Sequence, residues 1–340
     1  MSLSLAPSIE PLYDRAARPL KYLRISLTDR CNYRCSYCMP PTGWPATDRE
    51  ALLTLEEIAR LVSLFAQRGV EKIRLTGGEP LLRKGIVQLV EWIAAEPGIK
   101  EIAMTTNGHA LARFAPALWR SGLTKLTVSL DSFEPDTFRD ATGGHLAEVL
   151  QGLETAKDVG FSDISLNVVA MRRVNAGQLA DIAQRSWALG CTPRFIELMP
   201  IGGLKSQSRS ERYTYNEILT ELSAIFALEQ VTQCTKTAGP AQYWRVKTGP
   251  HRNRLLGTIS PMSDVHFCET CNRARLTARG GFRPCLANDE EVSLLHAIRS
   301  GESDHQLLER IKSGLMGKLD AHRMVDGTFI PVTAMTGIGG

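Results

Sequence analysis

The feature that most constrains this chain is a rhythm. Over its first two-thirds, short β-type runs at 22–27, 72–75, 101–105, 124–130, 164–169 and 194–199 alternate with helical stretches. After the first run, Thr54 and Glu57 form a capping box. Ile58, Leu61, Val62 and Phe65 follow at helical spacing, and Gly69 stands where a helix should stop. Asn175 likewise stands at the start of a helix running towards Gly190. Strands that alternate with helices pair in parallel, with right-handed crossovers that lay the helices over the sheet. Six such units fall short of the eight in a closed barrel. The expected fold is therefore α/β: an open, incomplete six-unit βα barrel over residues 1–203, then a smaller C-terminal domain over 204–340.

Beyond Gly203 the rhythm breaks. Residues 205–212 are polar and Ser-rich and read as a surface loop, and Thr214 and Glu217 make a second capping box. The chain then becomes irregular until a helical stretch from about Val292, and residues 336–340 are too glycine-rich for regular structure. On parallel βα folds the reactive groups collect at the C-terminal ends of the strands. The polar motifs stand there: a cysteine cluster after the first run, Gly77-Gly78-Glu79-Pro80 after the second, Thr105-Thr106-Asn107-Gly108 after the third. Ser129-Leu130-Asp131-Ser132 ends the fourth, and Met199-Pro200 ends the sixth.

The N-terminus lacks the basic start and apolar core of a signal peptide, and no apolar stretch approaches the ~20 residues of a membrane helix. A cytoplasmic location is expected, where disulfides are disfavoured and the eight cysteines are thiols or metal ligands. Cys191 and Cys234 stand alone and read as small buried apolar side chains. The formal net charge of +4 permits an anionic small substrate and requires no nucleic acid.

Cys31-x3-Cys35-x2-Cys38 sets three thiolates on one short loop. A [4Fe–4S] cluster usually takes four cysteines, so three leave one iron open to a substrate. A zinc site is the alternative, though no fourth ligand is nearby in the sequence. Cys268-x2-Cys271-x13-Cys285 offers a second cluster of the same kind, or a zinc half-site with His266 as fourth ligand. Asn272-Arg273-Ala274-Arg275 favours the cluster, because it places two guanidinium forks suited to phosphate oxygens beside it. In the Gly77-Gly78-Glu79 loop the glycines let backbone approach a ligand, and the carboxylate can accept from an ammonium group.

Cys31-Asn32-Tyr33-Arg34-Cys35-Ser36-Tyr37-Cys38 resembles the radical S-adenosylmethionine motif. The run from Phe267 through Cys-Glu-Thr-Cys-Asn-Arg-Ala-Arg-Leu-Thr-Ala, with Cys285-Leu286 after it, resembles the GTP 3',8-cyclases of molybdenum cofactor biosynthesis. Leu27-Thr-Asp-Arg-Cys-Asn, Arg74-Leu-Thr-Gly-Gly-Glu-Pro-Leu, Phe195-Ile-Glu-Leu-Met-Pro-Ile-Gly, Gly257-Thr-Ile-Ser-Pro and the terminal Gly339-Gly340 agree, in the family's order over nearly the whole chain.

The resemblance implies two [4Fe–4S] clusters, on Cys31, Cys35 and Cys38 and on Cys268, Cys271 and Cys285. It implies S-adenosylmethionine near Tyr37 (its ring beside the adenine), Gly78, Ser129 and Met199, and GTP held by Arg24, Arg74, Thr105, Arg273 and Arg275. Arg273, Arg275, Gly339 and Gly340 would serve catalysis, the Gly-Gly tail reaching towards the site. The implied lyase reaction takes hydrogen from C3' of GTP with a 5'-deoxyadenosyl radical. C3' then attacks C8, and reduction through the second cluster gives 3',8-cyclo-7,8-dihydro-GTP. Implied partners are a reductant such as flavodoxin or ferredoxin and cyclic pyranopterin monophosphate synthase as recipient of the product. No nucleic acid or membrane is implied, and the chain would be a monomer or homodimer. One departure stands out: Ser165, two residues before Asn167, replaces a family lysine that helps hold the nucleotide. Arg172 or Arg173 substitutes for it, or GTP binds less tightly, or the chain is a paralogue acting on another nucleotide or a peptide.

Overall fold

The computed structural model describes residues 10–39, 43, 47–232, 239–324 and 335–339, so Cys234 and Gly340 lie outside the described residues. The six expected strands are present as β1 (Tyr22–Ser26), β2 (Lys72–Thr76), β3 (Glu101–Thr106), β4 (Lys125–Ser129), β5 (Asp163–Ala170) and β6 (Thr192–Glu197). They pair side by side in that order and all in parallel. Helices α1 (Leu55–Ala66), α2 (Ile86–Ala94), α3 (Leu111–Arg120), α4 (Pro135–Thr142), α5 (Leu146–Asp158) and α6 (Leu179–Ala188) fill the crossovers. The capping box forms: Glu57 N donates to Thr54 Oγ1 at 3.1 Å, and Thr54 N donates to Glu57 Oε2 at 2.7 Å. Gly69 turns the chain away from α1 with a left-handed φ of +86°. Asn175, by contrast, does not start α6. It is fully buried; its side chain accepts from Met171 N and donates to Asp131 O and Val169 O, and so ties the β5–α6 turn to the end of β4.

The C-terminal third is more regular than its sequence suggests. It adds β7 (Leu228–Val231), β8 (Gln242–Val246), β9 (Leu255–Ile259), β10 (Arg273–Leu276), β11 (Gly281–Arg283) and β12 (Val292–Ser293). The helices there are α7 (Ser208–Glu211), α8 (Tyr215–Ile225), α9 (Leu294–Arg299), α10 (Asp304–Met316) and α11 (Met335–Ile338). Thus 205–212 is not loop throughout, and the glycine-rich end makes a helical turn with Thr336 and Ile338 buried. The strands extend the first sheet on both flanks, in the order β12-β11-β10-β1-β2-β3-β4-β5-β6-β9-β8-β7. β9 lies parallel to β6 and β10 parallel to β1. Among the described residues these two do not pair with each other, so the barrel stays open, and residues 260–272 run from one flank to the other. No helix among the described residues is long and apolar enough to cross a membrane.

Strand periodicity separates two environments. Leu23, Ile25, Ile73, Leu75, Met104, Leu126, Val128, Leu166 and Phe195 belong to the hydrophobic core under the helices. The alternate residues turn inward and are polar. At the foot, the first residues of four strands form an ionic ladder: Lys72 pairs with Glu101, and Lys125 Nζ lies 3.0 Å from both Glu101 and Asp163. One level up, Arg74 donates to Tyr22 Oη (2.5 Å), Thr105 Oγ1 (3.1 Å) and Thr127 Oγ1 (2.8 Å). Arg194 donates to Thr127 Oγ1 (2.8 Å) and Asn167 Oδ1 (3.0 Å) from the opposite side. These bonds fill the lower interior and leave the reactive groups at the open upper end.

Candidate active site

A single cavity at that end is lined by Cys31, Cys35, Cys38, Cys268, Cys271 and Cys285, together with Tyr37, Gly78, Thr105, Ser129, Met199, Arg24, Arg273 and Arg275. The first cysteine loop is gripped from three sides. Gly78 N donates to Thr28 O (2.6 Å) and Glu79 N to Arg30 O (2.8 Å); Arg34 N and Ser36 N bond the end of α4; Gly203 N donates to Tyr37 O (3.0 Å). An added Cβ on Gly78 would overlap Arg30 O, and one on Gly203 would overlap Ser36 O. The glycines are thus needed first for chain against chain. Glu79 also departs from expectation: its buried carboxylate accepts from Leu81 N (3.0 Å), Thr106 Oγ1 (2.7 Å) and Asn107 N (2.7 Å) and holds the end of β3 rather than facing a ligand. Burial pushes its pKa up to about 7 against those three bonds. The Tyr37 hydroxyl is hydrogen-bonded to Asp131, whose Oδ1 accepts from Val169 N at 2.8 Å.

Cys268 and Cys271 sit on the 260–272 crossing and Cys285 just beyond β11. His266 is not with them; it is exposed, absent from the cavity wall, and bonded through Nδ1 to Glu269 at 2.6 Å. None of these six thiols is in a disulfide. Among the described residues no three Cys, His, Asp or Glu side chains converge closely enough to hold one metal ion. Sulfurs sharing a tetrahedral zinc sit about 3.8 Å apart, given Zn–S bonds of about 2.3 Å. The wider spread of each set, facing a common cavity, suits the corners of a cluster with one iron turned inward. Burial raises the Cys38 thiol to about 12, whereas at Cys271 the Arg273 and Lys318 charges outweigh burial and bring the thiol down to about 6.

The arginines come together through strand register. Arg275 of β10, Arg24 of β1 and Arg74 of β2 are direct neighbours across three parallel strands. Arg24 and Arg275 reach the cavity; Arg74 lies below it and holds Thr105, which does line it. Burial and mutual repulsion depress the Arg24 pKa to about 10. Burial opposes ionisation of the Tyr22 phenol, yet Arg74, Arg24, Lys72 and Arg273 overcome it and bring its pKa to about 7. Such a density of cations calls for a polyanion. From the tail, Arg275 Nη1 takes the carbonyls of Ile338 (3.1 Å) and Gly339.

Ser165 is buried on β5 between Thr127 and Thr192. Neither neighbouring arginine substitutes for a lysine there. Arg172 pairs with Glu217 (2.7 Å) and Arg173 with Glu211 (2.9 Å), and neither lines the cavity. The cation on this side of the interior is Arg194, bonded to Asn167, the next inward residue of β5. Its signal in the sequence was an arginine at an inward strand position, as at Arg24 and Arg74.

Residues 25–185 match the family model described as Radical SAM superfamily, and residues 191–324 that described as Molybdenum Cofactor Synthesis C. The crystal structure of Streptococcus suis SuiB bound to S-adenosylmethionine shares the fold, with a TM-score of 0.56 at 15% identity over 91% of this chain and 74% of that one. An open βα barrel with three cysteines on the loop after β1 defines a radical S-adenosylmethionine protein. GTP 3',8-cyclase from Desulforamulus reducens is 41% identical over 93% of this chain and 96% of its own length. That from Moorella thermoacetica is 41% identical over 97% and 100%, and that from Pseudomonas putida 40% over 88% and 88%. The chain belongs to the GTP 3',8-cyclase family.

Proposed function

We propose that this chain converts GTP to (8S)-3',8-cyclo-7,8-dihydroguanosine 5'-triphosphate, the first step of molybdenum cofactor biosynthesis. When bound, the cluster on Cys31, Cys35 and Cys38 with S-adenosylmethionine supplies hydrogen abstraction at C3' of the nucleotide, which then bonds to C8. The observation that carries this reading is one cavity walled by both cysteine sets and by Arg24, Arg273 and Arg275. Those cations take the triphosphate, with Thr105 held in place by Arg74. Tyr37, fixed through Asp131, with Gly78, Ser129 and Met199, frames S-adenosylmethionine on the other wall. Cys268, Cys271 and Cys285 hold a second cluster whose open iron receives the guanine. Arg275 and the Gly339–Gly340 tail complete the enclosure. A low-potential donor such as flavodoxin or ferredoxin supplies electrons, and the unstable product passes to cyclic pyranopterin monophosphate synthase. The setting is the cytoplasm, with the chain a monomer or homodimer.

The test uses reconstituted, reduced protein with S-adenosylmethionine and GTP deuterated at C3'. Deuterium is expected in 5'-deoxyadenosine. Cleavage of S-adenosylmethionine without label transfer refutes the assignment.

A further inference from the structure

Three charged side chains are buried together against the second cysteine loop, outside the cavity wall. Asp14, Arg18 and Lys318 are only 3%, 9% and 3% exposed. Asp14 Oδ2 accepts from Arg18 Nε at 2.7 Å and lies 3.4 Å from Lys318 Nζ. Arg18 Nη1 donates to Cys268 O at 2.8 Å, while its other bonds go to Leu319 O and Asp320 O. Lys318 Nζ donates to Cys271 O at 2.9 Å and Arg273 O at 3.0 Å. The backbone at Cys268, at Cys271 and at the arginine beyond them is therefore held by buried cations. Those cations come from the N-terminal hairpin and from the segment after α10, both remote in sequence.

Fixing a loop needs donors but not charge, and burying charge is costly unless it is paired. Here two cations share one carboxylate, which leaves one positive charge in surplus beside the thiols. Positive charge and hydrogen bonds close to an iron–sulfur centre stabilise its more negative, reduced state and orient its ligands.

We propose that Asp14, Arg18 and Lys318 form a positioning triad for the second cluster, which sets Cys268 and Cys271 through their carbonyls and whose surplus charge raises the cluster's reduction potential. The proposal rests on the reading of Cys268, Cys271 and Cys285 as cluster ligands. All three triad residues act through the loop and touch neither substrate nor iron.

The test is an anaerobic redox titration of reconstituted protein, followed by electron paramagnetic resonance. Cys31, Cys35 and Cys38 are replaced by Ala so that only the second cluster is seen. Lys318→Met keeps the stem, removes the charge, and is expected to lower the potential. Asp14→Asn leaves both cations uncompensated and is expected to raise it, while Lys318→Arg stays near the parent. Opposite shifts are the signature, since a merely structural triad would lower thermal stability in both variants without moving the potential in opposite directions. If Lys318→Met loses its iron while Asp14→Asn keeps it with a raised potential, both positioning and charge are supported. An unchanged or lowered potential in Asp14→Asn overturns the proposal. Absence of a cluster in the parent overturns the functional reading instead.

Discussion

Replacing Gly339 by alanine tests the tail through two separable costs. Gly339 has a φ of +72°, and an added Cβ would overlap Thr76 Oγ1, which itself donates to Ile25 O at 3.1 Å. The left-handed conformation costs alanine about 1 kcal/mol. Turning Thr76 aside gives up a buried hydrogen bond of about 1 to 1.5 kcal/mol. Together, about 2 to 2.5 kcal/mol lowers the docked population of the tail by about 30- to 60-fold. The tail is a short element whose main apolar anchor is Ile338, so it releases without unfolding the barrel. Two readouts are expected to move together: faster amide hydrogen exchange over residues 335–339, and slower GTP-dependent formation of 5'-deoxyadenosine. Adding Thr76→Ala removes the obstructing atom and leaves only the left-handed strain, so the double variant recovers to within about fivefold of the Thr76→Ala parent. Parental exchange and turnover in Gly339→Ala, or a double variant no better than the single, would refute the reasoning.

Three further outcomes are expected. Arg24→Met removes a cation from the cavity and one charge-assisted contact of about 1.5 to 3 kcal/mol, raising KM for GTP by about 10- to 150-fold; an unchanged KM would remove Arg24 from the nucleotide site. Because the Tyr22 pKa lies at about 7 when folded, below its ordinary value of about 10, ionised Tyr22 stabilises the fold fully above pH 10 and loses that contribution as pH falls through 7. Tyr22→Phe should therefore cost more thermal stability at pH 9 than at pH 6.5, and a difference independent of pH would show that the phenol stays neutral. Glu197→Ala strips the partner from Tyr215 N (3.1 Å), Met262 N (3.0 Å) and Ser263 N (2.9 Å) at once. Leaving such donors unpaired costs about 3 kcal/mol or more, to be read as a lowered unfolding midpoint; a shift of under a degree would mean that water replaces the carboxylate.

What could be read in the sequence was whatever is written locally. The first six strands were found to within two residues, because each apolar run is bounded by polar or glycine-rich segments. The cysteines and the Arg273 and Arg275 pair were legible because ligand spacing is itself the chemistry. β10 was hidden inside the Arg-Ala-Arg motif: four residues carry no periodic signal, and its pairing with β1 joins segments more than 200 positions apart. Asp131, Arg18, Lys318 and Glu197 were missed for a related reason. Each is defined by a partner remote in sequence, and a lone buried carboxylate or lysine looks like any surface charge until the chain is folded. Glu79 was placed correctly at a strand end and given the wrong task, since its neighbours rather than a ligand use its oxygens.

The crossing of residues 260–272 from β9 to β10 also sets a timetable. A ribosome delivers β1 and the first cysteine loop early, yet Gly203, which bonds that loop at Tyr37 O, follows only after β6. β10, which covers the flank of β1, comes later still, and Lys318 last among the groups that grip the second loop. Neither cysteine set has its complete surround until most of the chain has been made. Iron delivery is thereby a late event in the life of the molecule, and a chain cut short before α10 would carry all six thiols with one loop still unsecured.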